Sequence, residues 1–157
     1  MVEREVEARV VEKIAGALAA RGIGGAFVFG AWQPAEAGAV KGREPEGAAA
    51  VVAVAASPKS CETFAAPKAA VPCAVELMVR DEADPDGTLF AACAGALSAL
   101  LDGWHLSLAD VKRDLASAHF SPAGLRLDGG SVSHDEAQGA WTAAQSFTVR
   151  GVFRKET

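Results

Sequence analysis

The run at residues 73–80 constrains this chain most. Cys73, Val75, Leu77 and Val79 alternate with Ala74, Glu76, Met78 and Arg80. A strict period of two puts every second side chain on one face, so this segment predicts a strand with one buried side and one open side. A half-buried strand needs a sheet around it and a covering layer on one face.

The covering layer is legible on both sides of that strand. Val6, Val10, Ile14 and Leu18 recur every fourth residue, with Val11 beside them, which predicts a helix over about 2–20. Arg21-Gly22 ends it, glycine standing where a left-handed cap is wanted. After the strand, Asp81, Glu82, Asp84 and Asp86 form an acidic turn. Asp84 suits a helix N-cap, Pro85 the first helical position and Asp86 the positive end of the helix dipole. A second helix then follows to about Asp102-Gly103, with Leu89, Phe90, Cys93, Leu97, Leu100, Leu101 and Trp104 on one stripe.

Further strands are expected at 26–32 and 48–56, joined as a hairpin by a long loop at 33–47, and at 115–127 and 141–153. The segments 57–72 and 128–139 read as irregular or polar connections, and a short helical turn is expected around 108–114 with Ser107 as its cap. Strands outnumber crossover helices. The expected fold is therefore α+β, a mainly antiparallel sheet of about five strands with two main helices packed on one face, in a single domain over 1–157.

Composition bounds the function. Half of the residues are apolar, alanine dominates them and tyrosine is absent, while 22% are charged and the net charge is −5. A globular chain without a lysine or arginine cluster excludes nucleic-acid binding through a broad basic patch. Cys61, Cys73 and Cys93 show no CxxC spacing and read as free thiols suited to a reducing cytoplasm. The charged N-terminus lacks an apolar signal core, and the uncharged segment from Gly87 to Leu101 is too short to span a bilayer. Neither secretion nor membrane insertion is expected.

Motifs for catalysis or cofactors are sparse. Gly22-Ile23-Gly24-Gly25 lacks the third glycine of a dinucleotide loop, because Phe27 stands there, and it leads from helix into strand. His105, His119 and His134 show no ligand spacing, and no nucleophile elbow is present. The acidic turn 81–86 offers oxygens to a divalent ion, but capping accounts for Asp84 and Asp86 without one. No catalytic residue, cofactor or metal is assigned.

One feature of the second helix asks for a partner. No charge occurs from Gly87 to Leu101, and Ala92, Gly95 and Ala99 fall opposite the core stripe, where a surface helix is normally polar. Either another layer of the domain or a neighbouring subunit covers them.

Taken together, the charged amphipathic first helix and the strand Val75-Glu76-Leu77-Met78-Val79-Arg80 set a pattern. It continues through the acidic turn before Phe90 to Leu101 and the closing strand Gln145-Ser146-Phe147-Thr148-Val149-Arg150-Gly151-Val152-Phe153-Arg154. Over most of its length the chain resembles the small tail-terminator and tail-completion (minor tail) proteins of long-tailed bacteriophages and prophages. The resemblance implies an α+β, non-enzymatic virion protein, made in the bacterial cytoplasm. It would self-associate into a ring, typically a hexamer, on the tail tube and contact other tail or neck proteins. The polar segments 33–47 and 128–140 are the expected contact loops, ordering on assembly. Two other classes remain: a small-ligand-binding α+β module with an apolar cavity, and an enzyme of unrecognised type.

Overall fold

The computed structural model describes residues 2–24, 26–32, 48–58, 60–61 and 68–153. Among them, three helices and a mostly antiparallel sheet make an α+β fold. The order is α1 (Val2–Ala20), β1 (Ala26–Gly30), β2 (Ala50–Ala56), β3 (Ser60–Cys61), β4 (Lys68–Arg80), α2 (Thr88–Leu106), α3 (Leu108–Leu115), β5 (Phe120–Asp135) and β6 (Ala140–Phe153). The sheet runs β1-β2-β4-β6-β5, with the two-residue β3 also paired to β4.

β4 behaves as its alternation dictates, and for longer than expected. Burial alternates residue by residue along all of it, Ala69, Val71, Cys73, Val75, Leu77 and Val79 facing the core. Only its second half carries the strong aliphatic pattern; residues 68–72, part of the segment read as irregular because Pro58 and Pro67 break it, are strand. Pro72 is tolerated because its missing N–H falls in a gap. β2 pairs with β4 from Cys73 onward and β3 pairs at Ala69 and Ala70, while the Pro72 carbonyl accepts from Ser57 N at 2.8 Å.

α1 buries Val2, Val6, Val10, Val11, Ile14 and Leu18 against the sheet layer. Its end is a Schellman cap: Gly22 has φ +74°, Ile23 N donates to Leu18 O and Gly22 N donates to Ala19 O, both at 3.0 Å. The glycine-rich stretch thus serves the helix end at Gly22, and Gly25 lies outside the described residues.

Three sequence readings are corrected by the topology. β1 and β2 are parallel, not a hairpin; the long stretch between them leaves room for a crossover, which parallel neighbours require. Residues 128–135 are not a connection but the outer half of β5, which after a bulge at Asp128 pairs with β6 from Gly129↔Ser146 down to Asp135↔Ala140. This half is exposed on both faces, so no apolar alternation marks it. The strand expected from 115 begins instead at Phe120, since α3 runs to Leu115.

α2 also differs at both ends. It starts at Thr88 after Gly87, whose φ is +76°, and continues to Leu106. Pro85 is therefore not its first residue. Asp84 still caps it, its carboxylate accepting from Leu89 N at 2.9 Å and Phe90 N at 2.8 Å. At 19 residues, with a window of mean hydropathy 1.3, α2 is by length and composition long and apolar enough to cross a membrane. The shorter 87–101 segment was not. Within the fold its apolar stripe (Cys93, Ala96, Leu97, Leu101, Trp104) is buried in the core. Trp104 Nε1 donates to Asp114 Oδ2 at 2.8 Å, tying α2 to α3, and Ser107 caps α3 by accepting from Asp110 N at 3.2 Å.

Candidate assembly surface

A buried carboxylate organises the β1 side of the molecule. Glu7, on α1, is 1% exposed. Its Oε1 accepts from Trp32 N at 2.7 Å and its Oε2 from Ala56 N at 3.1 Å, so one side chain closes the ends of both parallel strands. Burial pushes this carboxyl above its ordinary range, while the two amides and Arg4 pull the other way. Arg4 lies over the Trp32 ring, 5.9 Å from its centroid, and donates to Trp32 O at 3.3 Å.

The opposite side is open. Ala92, Gly95 and Ala99 are exposed on α2, so no other layer of the described fold covers them. One step round the helix, Ala94, Ser98 and Asp102 at i, i+4 and i+8 face the outer half of β5 across a groove of about 540 Å³. Leu97, Leu101 and Val75 form its apolar floor, and Leu127 and Val132 flank it on β5. Val132 is 63% exposed. Gln145 folds along the same strand, its Nε2 donating to Gly129 O at 3.0 Å, and any side chain at Gly130 would collide with its Oε1.

The turn between β5 and β6 is pinned to the acidic turn. His134 Nε2 lies 2.7 Å from Asp81 Oδ2, Asp81 N donates to Gly139 O at 2.8 Å, and His134 and Phe90 both pack on Trp141. Asp84 and Asp86 are occupied locally. Asp84 caps α2, and Asp86 bonds the amide and hydroxyl of Thr88, the hydroxyl bond above all holding its carboxyl below the usual range.

The three histidines are not brought together: His105 Nδ1 lies 3.1 Å from Leu125 O, and His119 Nδ1 lies 2.9 Å from Glu5 Oε2. Among the described residues, no group of three or more His, Cys, Asp or Glu side chains is gathered to hold a metal. Cys73 and Cys93 are buried free thiols. Burial pushes the Cys73 thiol up to about 12, and also raises that of Cys93. The Cys61 side chain and the segment 33–47 lie outside the described residues.

No family model matches this chain, and no curated protein matches it. The fold is similar to that of a chain in a gene transfer agent virion. That solved structure, "Virion of native gene transfer agent (GTA) particle", aligns with a TM-score of 0.54 and 17% identity over 90% of this chain and 91% of the other. The likeness is one of fold, and it runs the length of both chains.

Sequence reasoning singled out Ala92, Gly95 and Ala99, leaving open whether another layer or a neighbour covers them, and missed the groove beside them. Its helical side is spelled by Ala94, Ser98 and Asp102, whose spacing was available. Its strand side lies in a Gly- and Ser-rich segment that carries no strand signal of its own.

Proposed function

We propose that this chain is a non-enzymatic structural protein of a phage-like virion. In the finer reading it is a tail terminator or tail-completion protein, a single domain made in the bacterial cytoplasm that assembles into a ring, typically a hexamer. The ring would sit among other tail or neck proteins. The end-to-end fold likeness to a chain of a gene transfer agent particle carries this reading. The exposed face at Ala92, Gly95 and Ala99, small side chains with the Arg21 guanidinium beside Gly95, supports it, since a neighbouring subunit would cover such a surface.

Light scattering over a concentration series tests it. The expected mass is a defined multiple of the 16.0 kDa chain. Ala99→Glu is expected to shift that mass toward the monomer with the melting temperature of the monomer unchanged. An unchanged oligomer in a folded Ala99→Glu variant removes this face from the interface.

The groove under α2 favours one second reading, a module for a small apolar ligand. A chain that stays monomeric while an apolar probe binds with the groove residues shifting in NMR spectra would select it.

A further inference from the structure

We propose that copies of this chain stack face to back, the exposed face of α2 in one copy lying on the open face of the sheet in the next, with Leu106 seated in a hollow at the end of β4. This inference rests on the ring reading and names the surface that receives the α2 face.

The sheet has one covered face and one open one. Along β4 the odd-numbered residues from Ala69 to Val79 join the core beneath the helices, so Ala74, Glu76, Met78 and Arg80 point the other way. Register places Ser146, Ala144, Thr142 and Ala140 of β6 beside them in that order. Ala74, Glu76, Arg80, Ala144 and Ser146 are exposed, and no charge occurs on β6 from 140 to 149. A helix laid on the second face of a sheet is a stable layering, and the helices described here bury their stripes on the first. The exposed α2 of another copy is a layer of the required kind.

Shape gives the fit. At the end of β4 the open face dips into a hollow of about 600 Å³, with Met78 and Ala140 at its floor and Arg80, Glu82 and Gln138 at its rim. Leu106, in the last turn of α2, is 81% exposed, more than any other large apolar side chain among the described residues. It follows Asp102 at i+4 and Ala99 at i+7, so it stands on the same side of the helix as Ala92, Gly95 and Ala99. An apolar side chain entering a hollow with a polar rim is how an interface centre is built.

Charge fixes the direction. The α2 face carries Asp102 and, beside Gly95, the Arg21 guanidinium, 3.9 Å from where a Cβ would stand. The open sheet face carries Arg80 at the hollow and Glu76 behind it. None of these four side chains is paired within the described residues. Gly95 stands roughly 10.5 Å before Asp102 along α2, and Glu76 roughly 13 Å before Arg80 along β4, a difference that an arginine side chain spans. With α2 running in the direction of the neighbour's β4, Leu106 enters the hollow, Asp102 meets Arg80 and Arg21 meets Glu76. The reverse direction sets Asp102 on Glu76 and Arg21 on Arg80, two like-charge contacts. The contact joins two different surfaces on opposite sides of the subunit, so it can close into a ring instead of stopping at a dimer.

Charge reversal tests the pairing. Asp102→Lys and Arg80→Glu are made singly and together, thermal melts confirm that each variant folds, and assembly is followed by light scattering. Each single variant is expected to raise the concentration at half-assembly about tenfold or more, and the double variant to recover most of that loss. Leu106→Gln is expected to weaken assembly without lowering the melting temperature of the monomer. If a reversal does not fold, an alanine cycle at the same two positions replaces it, coupled losses upholding the pair and additive ones overturning it. Rings indifferent to Asp102→Lys and Arg80→Glu, or weakened by both without rescue in the double, overturn the proposal while leaving the ring reading intact. Rescue of Asp102→Lys by Arg21→Glu instead of Arg80→Glu overturns it in favour of a symmetric α2 contact. Open chains showing the Arg80 rescue uphold the contact and overturn the ring. A monomer at every concentration overturns both.

Discussion

Glu7 is the residue whose removal this fold should feel most sharply. Its carboxylate is the acceptor for the amides of Trp32 and Ala56, one partly buried and one buried. Glu7→Ala leaves both amides without a partner, and an orphaned buried donor costs about 1–3 kcal/mol. The Trp32 amide can regain water and the Ala56 amide cannot, so the sum is about 3 kcal/mol. The relief of a desolvated charge offsets a part of the lost packing. For a chain of this size each kcal/mol moves the melting temperature by about 2–4 °C, giving a fall of roughly 6–12 °C in a circular-dichroism melt at pH 7.

Gly30 supplies the internal control. A Cβ there would stand 2.2 Å from Glu7 Oε1 and 2.8 Å from its Cδ. Gly30→Ala should cost about 2 kcal/mol by overpacking in the native background and about 1 kcal/mol less once Glu7 is alanine. Additive losses in the double variant, or a Glu7→Ala melt within 2 °C of the parent, would refute the reasoning. The pH dependence carries the opposite sign to ordinary acid denaturation. Because the folded Glu7 carboxyl is raised, the part of its contribution linked to proton binding is full below the ordinary glutamate range and is lost as pH rises through the folded value, while the bonds to the two amides remain. The parent should gain on Glu7→Gln as pH falls.

Two further perturbations probe the other side of the molecule. Asp84→Ala removes the acceptor of the Leu89 and Phe90 amides at the start of α2 and should cost about 1–2 kcal/mol, read as a shifted urea midpoint at unchanged slope. Asp114 is held below the usual carboxylate range, chiefly by its bond from Arg113 and also by that from Trp104. Its stabilisation is therefore present above the ordinary aspartate value and lost as pH falls through the folded one. Asp114→Asn should be less stable by about 1–2 kcal/mol at pH 7, with the gap closing in acid, and a gap constant with pH would contradict the assignment.

The parts of the fold that sequence made legible are those in which packing writes a period. α1, the second half of β4 and the α2 stripe each bury one face, and each was expected where it stands. Capping chemistry located Gly22, Asp84 and Ser107 at helix ends, with α2 starting three residues later than its acidic turn implied. What was illegible is equally physical. The outer half of β5 is wet on both sides and held by its ladder to β6, so Gly129, Gly130, Ser131 and Ser133 read as loop. Pro72 hides in a gap between two partner strands, and the parallel pairing of β1 with β2 depends on a long-range contact that local pattern does not encode. The surface was half legible: the lack of charge on α2 pointed to Ala92, Gly95 and Ala99, whereas the groove needed β5 to be a strand.

Electron microscopy of the purified protein, at concentrations where light scattering shows association, tests the central claim most directly. The account predicts closed rings of uniform size with a central opening, in which the Ala92, Gly95 and Ala99 face of α2 meets the neighbouring subunit. Monomers alone, or irregular aggregates without a closed symmetric species, would contradict it.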